Sequence, residues 1–216
     1  MSPSVDKKPG LYVALSGGGA HAAAHAGVLL GLQRAAVPVA GIAGVSGGAL
    51  VAAAWAGGAD LEQLVEQASR LHPWMWVRGW GGGLLSGTRL GVLIDEYLPI
   101  ADFSRLRVPV RVLATDVDTA EPVVFREGDV REAVRASCSF PGVFPPMVID
   151  GRRLYDGGVS EVIPVSLARE MAGESGWMRP VKIPSFFAAG LDALEEALPE
   201  IRRLLAGAGT AKAKSA

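Results

Sequence analysis

The chain has 216 residues, half of them apolar, and this is enough to bury the core of one domain without disulfides or metals. Lysine and arginine total 21 against 22 for aspartate and glutamate, a balance that gives no support to nucleic-acid binding. The single cysteine, Cys138, excludes an internal disulfide and a cysteine-based metal cluster. Residues 1–10 lack the apolar segment of a signal peptide, so we expect a cytoplasmic protein.

The first half of the chain predicts two successive units of strand, glycine-rich turn and helix. Residues 11–15 form a short apolar run, and an alanine-rich helix is expected at about 20–36. A second buried strand is predicted at 39–45, and a helix follows over about 47–56. Each unit has small residues at the carboxyl end of its strand.

The uncharged stretch 35–59 is long enough to cross a bilayer. Pro38 and several glycines divide it into a strand, a tight turn and a helix. Buried elements of α/β cores have the same composition, so we interpret the stretch as core.

The second half continues the alternation of helices and strands. The predicted elements are helix 60–71, loop 72–87, helix 88–98, strands 108–114 and 122–125, helix 129–138, loop 141–146, hairpin 148–155, and helices 165–172 and 187–205. This order predicts an α/β fold, with a mostly parallel sheet covered on both faces and sites at the carboxyl ends of its strands. We expect one domain over 11–205, with residues 1–10 as an N-terminal tail and 206–216 as a disordered tail.

Gly44-Val45-Ser46-Gly47-Gly48 matches the G-x-S-x-G pattern between a predicted strand and a predicted helix. Such a turn strains the backbone of the serine and exposes its hydroxyl, while the helix start directs N–H groups toward it. Ser46 is therefore a candidate nucleophile, and Gly44, Gly47 and Gly48 let the turn close. The alternative is a glycine-rich turn in which the serine only caps a helix.

Gly17-Gly18-Gly19 provides a second row of backbone N–H groups, which can bind an oxyanion or a phosphate. A dinucleotide-binding loop is the competing interpretation. It requires an acidic residue about 20 positions further on, and the strand 39–45 contains none. A P-loop is also disfavoured, because its Gly-Lys-Ser/Thr ending is missing.

A serine nucleophile needs a base, and no histidine follows Ser46 except His72, in the tryptophan-rich loop. A carboxylate must then be considered. Asp156 is the best candidate, because Gly157 and Gly158 after it allow a tight turn and close backbone approach. An ordinary Asp-Gly turn is the alternative.

Taken together, these turns resemble the patatin-like phospholipase family over roughly residues 11–170. The glycine loop 15–19, the elbow 44–48 and Asp156-Gly157-Gly158 occur in the order of the family's oxyanion loop, nucleophile elbow and aspartate motif. The stretches 133–137 and 140–146 are also similar to the segment before the family's catalytic aspartate.

The resemblance implies a three-layer α/β/α fold and a serine acyl-ester hydrolase with a Ser-Asp dyad. Ser46 would attack the ester carbonyl, Asp156 would accept its proton, and N–H groups of the glycine loop (Gly17, Gly18, Gly19) would hold the oxyanion. It implies a phospholipid, lysophospholipid or other acyl-ester substrate, with no cofactor and no metal. Oligomeric state is left open.

Two departures from the family qualify this expectation. His21 occupies the position of an arginine in the family's glycine loop, which could alter activity or head-group preference. After Met171 a short strand-like piece, 181–183, stands where family members commonly have a further apolar strand. His21 and His25 also have the spacing of a metal-binding pair, but no third ligand is evident.

Trp74 and Trp76 lie in the predicted loop, where they could form a lid that binds lipid and touches a membrane surface transiently, or pack in the core. His21, Trp74 and Trp76 are thus candidate substrate-binding residues. The competing functional hypotheses are a catalytically weak acyl-lipid-binding or regulatory protein and a plain nucleotide-binding domain.

Overall fold

A computed structural model of the chain describes residues 10–69, 85, 87–172, 195, 198–199 and 201–203. The strands in these ranges are β1 (Leu11–Leu15), β2 (Val39–Val45), β3 (Val110–Asp116), β4 (Pro122–Phe125), β5 (Met147–Ile149) and β6 (Arg152–Asp156). The α-helices are α1 (Ala23–Arg34), α2 (Gly47–Gly57), α3 (Leu61–Ser69), α4 (Gly87–Tyr97), α5 (Val130–Ser137) and α6 (Val165–Ala172).

The elements agree closely with those predicted from the sequence, and the differences have local causes. Strand β3 begins two residues later than predicted, because Pro109 lacks the N–H that a sheet ladder needs. The helix predicted from residue 20 starts as a 3₁₀ turn, Gly19–Ala22, and becomes α-helical at Ala23. Residues 195, 198–199 and 201–203 are helical, as expected for 187–205. The rest of that helix, most of the loop 72–87, the piece 181–183, residues 1–9 of the N-terminal tail and the tail 206–216 lie outside the described residues.

Aspartates begin two helices, as the sequence indicates. The Asp60 carboxylate accepts hydrogen bonds from the backbone N–H groups of Glu62 and Gln63 at the start of α3. The Asp129 carboxylate does the same for α5 at 2.7 and 3.2 Å. Each bond satisfies an N–H group that has no partner within its helix.

Helices cover both faces of the sheet. Alternate residues of β1 point to opposite sides, so that Leu15 joins the main core with α1 and α2. Tyr12 and Ala14 pack instead against α6 through Leu167 and Met171. The predicted three-layer α/β/α arrangement is therefore confirmed.

The sheet combines a parallel part with antiparallel strands. Strands β1, β2 and β3 are parallel, whereas β4 and β6 run antiparallel to β3, and β5 is antiparallel to β6. The uncharged stretch 35–59 folds into β2 and α2. Among the described helices, none is both long and apolar enough to span a membrane.

Two strands meet end to end along one edge of β3. Val45, the last residue of β2, pairs with Leu113, and Asp156, the last residue of β6, pairs with the next residue, Ala114. Strand β4 pairs with residues 112–115 of β3 and so takes the opposite edge. The carboxyl ends of β2 and β6 therefore face each other across a single peptide unit of β3.

Gly157, directly after β6, permits this close meeting. A Cβ atom at Gly157 would stand 2.2 Å from the Leu113 carbonyl oxygen, which is fixed in the sheet. No side chain can occupy that position unless β3 or β6 moves.

We therefore expect Gly157→Ala to lower the free energy of unfolding by about 3 kcal/mol, because the backbone cannot relax cheaply around the methyl group. Urea denaturation measures the loss. Gly128→Ala is the control: its methyl group meets nothing within 4 Å, and its cost is that of a positive φ, about 1 kcal/mol. Equal losses in the two variants would contradict the steric explanation.

Candidate active site

Ser46 occupies a strained turn between β2 and α2. Its φ of 51° and ψ of −126° place a non-glycine residue in a conformation that L-residues rarely adopt. Glycines on both sides make the turn possible. A Cβ atom at Gly44 would lie 2.7 Å from the Ala49 Cα, and one at Gly48 would lie 2.5 Å from the carbonyl oxygens of Leu15 and Ser16. The sharp elbow predicted from the sequence is present in the structure.

Ser137, at the end of α5, connects the elbow to the sheet. The Ser46 N–H donates to the Ser137 Oγ at 2.8 Å, and that hydroxyl donates to the Leu113 carbonyl at 2.6 Å. Ser137 is fully buried. The hydroxyl therefore satisfies the N–H of a strained residue and ties its position to β3.

Asp156 is buried at the end of β6, with 3% of its surface exposed. Its own N–H donates to the Ser139 carbonyl, and its carbonyl accepts from the Thr115 hydroxyl, so the backbone is fixed from two sides. The carboxylate accepts the Gly158 N–H at 2.8 Å. This network leaves the carboxylate little freedom to turn away from Ser46.

Burial raises the pKa of the Asp156 carboxyl, because the charged form is poorly solvated there. Hydrogen bonds from the Ser46 side chain and the Gly158 N–H lower the pKa and oppose part of this effect. The Ser46 hydroxyl is thus directed at a carboxylate that is a stronger base than an exposed aspartate. This pair has the arrangement of a nucleophile and its general base.

Cys138 also approaches the pair. Burial and the negative charge of Asp156 raise the pKa of its thiol, while a hydrogen bond with Ser46 opposes them. A thiol with a raised pKa stays protonated, and the protonated form is a poor nucleophile. Cys138 therefore contributes volume and a weak polar contact beside Ser46.

The glycine loop after β1 packs directly against the elbow. A Cβ atom at Gly17 would lie 3.5 Å from the Ser46 Cβ, and one at Gly47 would lie 3.0 Å from the Gly19 carbonyl oxygen. The Gly17 N–H donates to the Val162 carbonyl at 3.0 Å, so it is not available to an oxyanion. Among described residues, the exposed Gly18 and Gly19 N–H groups have no protein acceptor.

His25, on α1, holds the start of this loop. Its Nε2 lies 3.0 Å from the Ser16 carbonyl oxygen and 3.3 Å from the Ser16 hydroxyl. Burial lowers the pKa of the imidazole, and the bond to the Ser16 carbonyl opposes this. A neutral imidazole carries one N–H group, and donation from Nε2 leaves Nδ1 without a hydrogen. In the described structure the buried Nδ1 has no hydrogen-bond partner, so no donor or acceptor there requires the other tautomer.

Of the three residues predicted to bind substrate, the structure describes His21 but not the two tryptophans. His21 is exposed in the 3₁₀ turn, where its N–H donates to the Gly18 carbonyl. Trp74 and Trp76 lie outside the described residues. Within the described ranges, no group of three or more histidine, cysteine, aspartate or glutamate side chains could hold a metal ion.

Apolar side chains are exposed next to the segments that carry the pair. They follow Cys138-Ser139 or Asp156-Gly157-Gly158 in the chain, and more than half of the surface of each is exposed: Phe140, Val159, Val162 and Ile163. The backbone bond from Gly17 to Val162 brings the second group beside the glycine loop. Apolar side chains are thus exposed on the segments that follow the pair in the chain.

Sequence reasoning did not identify Ser137, Thr115 or His25 as parts of the site. Ser137 falls in the segment 133–137, whose resemblance to the family was evident, but its hydrogen bonds join residues distant in sequence. Thr115 is one of several small polar residues at strand ends, and no local pattern distinguishes it.

Comparison with known proteins places this architecture in a family. The family model described as patatin-like phospholipase matches residues 13–169. An uncharacterized NTE family protein of Mycobacterium tuberculosis is 34% identical over 164 residues, which are 73% of this chain and 45% of that protein. The neuropathy target esterase sws of Drosophila melanogaster is 30% identical over 169 residues, 73% of this chain and 12% of its own. The chain thus spans less than half the length of these relatives.

Solved structures support the same fold. VipD from Legionella pneumophila superposes with a TM-score of 0.58 at 14% identity, covering 71% of this chain and 47% of its own. The type III effector protein ExoU superposes with a TM-score of 0.50 at 16% identity, and the match covers 90% of this chain and 53% of the ExoU chain. Because the family model matches well over half of the residues, the chain belongs to the patatin-like phospholipase family.

Proposed function

We propose that this chain is a serine acyl-ester hydrolase that acts on lipid esters through Ser46 and Asp156. The observation that carries the proposal is the geometry of β2 and β6, which end at adjacent residues of β3 and so bring Ser46, in a strained turn before a helix, next to the buried Asp156 carboxyl. Membership of the patatin-like phospholipase family supports the same activity. A lipid substrate is further supported by the exposed apolar side chains on the segments next to the pair in the chain.

The proposed reaction has two halves. Asp156 accepts the Ser46 proton as Oγ attacks the ester carbonyl, and the Gly18 and Gly19 N–H groups stabilise the oxyanion of the tetrahedral intermediate. Asp156 then returns the proton to the departing alcohol, leaving an acyl group on Ser46. In the second half, Asp156 accepts a proton from the water that attacks the acyl-enzyme, and it returns that proton to the Ser46 Oγ as the intermediate collapses and releases the fatty acid.

Ser46→Ala and Asp156→Ala test the dyad. We expect hydrolysis of p-nitrophenyl esters to fall by about 100-fold to 10,000-fold without the base, and at least as far without the nucleophile. Steady-state kcat/KM measures both effects, and a fluorophosphonate probe should label wild-type Ser46.

Ser69→Ala and Asp118→Ala serve as controls, because both residues are exposed, the Ser69 hydroxyl donates to the Glu66 carbonyl and Asp118 pairs with Arg153. If the folded wild type is neither labelled nor active on esters of any chain length, the hydrolase proposal is wrong. The acyl-lipid-binding hypothesis would then be tested in its place.

Ser137→Ala tests whether the elbow geometry depends on α5. Without the Oγ atom the buried Ser46 N–H loses its acceptor, which costs about 1–3 kcal/mol of stability. We also expect kcat to fall more than KM changes, since the nucleophile is displaced while the substrate surface is kept. Ser139→Ala is the matched control, because the Ser139 Oγ bonds only within its own helix end, to the Arg135 carbonyl. Equal kinetics in the two variants would contradict a positioning role for Ser137.

Asp156→Asn tests the energetic cost of the buried base. The pKa of Asp156 is raised in the folded protein. The free energy of unfolding therefore falls as the pH rises from the ordinary pKa of aspartate through the raised value, and the charged carboxylate destabilises the fold at neutral pH. We therefore expect Asp156→Asn to raise the melting temperature at neutral pH while it abolishes activity. For wild type, kcat/KM should fall with acid at a pH above the ordinary pKa of aspartate.

Asp116→Asn, on the neighbouring strand β3, is a control for which we expect the opposite change in melting temperature. Hydrogen bonds from the Asp118 and Thr119 N–H groups lower the pKa of Asp116, so its charge stabilises the fold above its ordinary pKa. Asp116→Asn should therefore lower the melting temperature at neutral pH. A melting temperature that falls in both variants would refute the burial argument for Asp156.

A further inference from the structure

Both polar groups of the peptide unit between Ser16 and Gly17 have partners from other parts of the chain. The Ser16 carbonyl oxygen lies 3.0 Å from the Nε2 atom of His25, on α1. The Gly17 N–H donates to the Val162 carbonyl at 3.0 Å. This unit directly precedes the two glycines whose N–H groups are the proposed oxyanion donors. Two partners therefore fix the orientation of the backbone from which those donors extend.

The same peptide unit packs against the elbow that carries Ser46. A Cβ atom at Gly48 would lie 2.5 Å from the Ser16 carbonyl oxygen, and one at Gly17 would lie 3.5 Å from the Ser46 Cβ. The unit is therefore in close contact with both the nucleophile and the first turn of α2. Any rotation of it changes where the N–H groups that follow point relative to Ser46.

His25 lies on the helix into which the glycine loop continues. The loop forms the 3₁₀ turn Gly19–Ala22 and becomes α-helical at Ala23, and the His25 side chain reaches back over nine residues to the start of the same loop. The side chain is buried, with 8% of its surface exposed. Three consecutive glycines restrict a backbone very little, so the loop depends on outside contacts to keep one shape. The His25 bond closes the loop into a ring and provides such a contact.

The chemistry of the two partners identifies the donor in this bond. A carbonyl oxygen only accepts, so the Nε2 atom that faces the Ser16 carbonyl must carry the hydrogen. A second hydrogen, on Nδ1, would create a buried charged donor at an atom that has no hydrogen-bond partner among the described residues. The surroundings therefore favour the neutral Nε2–H form, whose single N–H group is used on the backbone of the loop.

We propose that His25 is a positioning residue of the oxyanion hole: its Nε2–H, bound to the Ser16 carbonyl, keeps the Gly18 and Gly19 N–H groups directed at the oxyanion that forms beside Ser46. The proposal rests on the proposed hydrolase function and adds a residue that acts through the loop without contacting the ester. The oxyanion develops only when the ester is attacked. Loss of the His25 bond should therefore lower kcat and leave KM nearly unchanged.

His25→Asn and His25→Gln form a matched pair that separates the hydrogen bond from packing. The amide nitrogen of glutamine reaches about as far from the backbone as Nε2 of histidine, whereas that of asparagine reaches only about as far as Nδ1. We expect His25→Asn to lower kcat for p-nitrophenyl ester hydrolysis by about 10-fold to 100-fold, because the oxyanion donors are misplaced. KM should stay within about threefold of wild type, and His25→Gln should keep kcat within about threefold of wild type.

Melting temperatures show whether each variant is folded at the assay temperature. Equal kcat values in the two folded variants overturn the proposal, whether both are reduced or both match wild type, because only glutamine can place a donor where Nε2 stands. An effect of His25→Asn that is confined to KM overturns it as well.

A measurement on wild type tests the donor without any substitution. The ¹⁵N chemical shifts of the His25 imidazole distinguish a ring with its hydrogen on Nε2 from one with its hydrogen on Nδ1. We expect the Nε2–H form at neutral pH. A ring with its hydrogen on Nδ1 alone cannot donate to the Ser16 carbonyl, and this result overturns the proposal.

Amide hydrogen exchange separates this proposal from the hydrolase function on which it rests. The Ile42 N–H, which donates to the Pro109 carbonyl at the edge of β3, reports opening of the sheet. Relative to that amide, the Gly17 N–H should exchange about 10-fold faster in His25→Asn than in wild type or His25→Gln. If wild type hydrolyses no ester but Gly17 shows this change, the hydrolase function is wrong and His25 still positions the loop. If the relative exchange of Gly17 is the same in all three proteins, the positioning role is wrong whatever the activity.

Discussion

The architecture of the candidate site depends on one edge of strand β3, which two other strands share. Strand β2 ends opposite Leu113 and β6 ends opposite Ala114, so the residues that follow or end these strands, Ser46 and Asp156, must be neighbours. The Leu113 carbonyl then anchors the Ser137 hydroxyl, which holds the Ser46 N–H. A shift of β3 by one residue would disturb every one of these contacts at once.

The same closeness creates an energetic conflict at Asp156. The carboxylate is buried beside Ser46 and Cys138, and within the part of the chain that the structure describes its charge is compensated by the Gly158 N–H and the Ser46 side chain. Burial makes the carboxylate more basic and also makes the charged folded state less stable. Burial of the proposed base therefore lowers the stability of the domain at neutral pH, which is common where a group is held for chemistry.

Small residues make this arrangement sterically possible. The glycine loop, the elbow and Gly157 each bring backbone against backbone, so a methyl group at Gly48 or Gly157 would meet a carbonyl oxygen at 2.5 Å or less. Gly91 of α4 acts similarly toward α5, because a Cβ atom there would lie 2.8 Å from the Arg135 Cζ. Close packing thus makes the proposed reaction centre possible.

The sequence by itself determined the strand-turn-helix units, the strained turn at Ser46 and the tight turn after Asp156, because small residues and apolar runs act locally. It also indicated the family, through the order of its motifs. It did not determine that Gly17 donates to Val162 or that Ser137 joins Ser46 to Leu113. Only the tertiary structure decided these contacts, because they join residues far apart in the chain whose meeting depends on how β2 and β6 share the edge of β3.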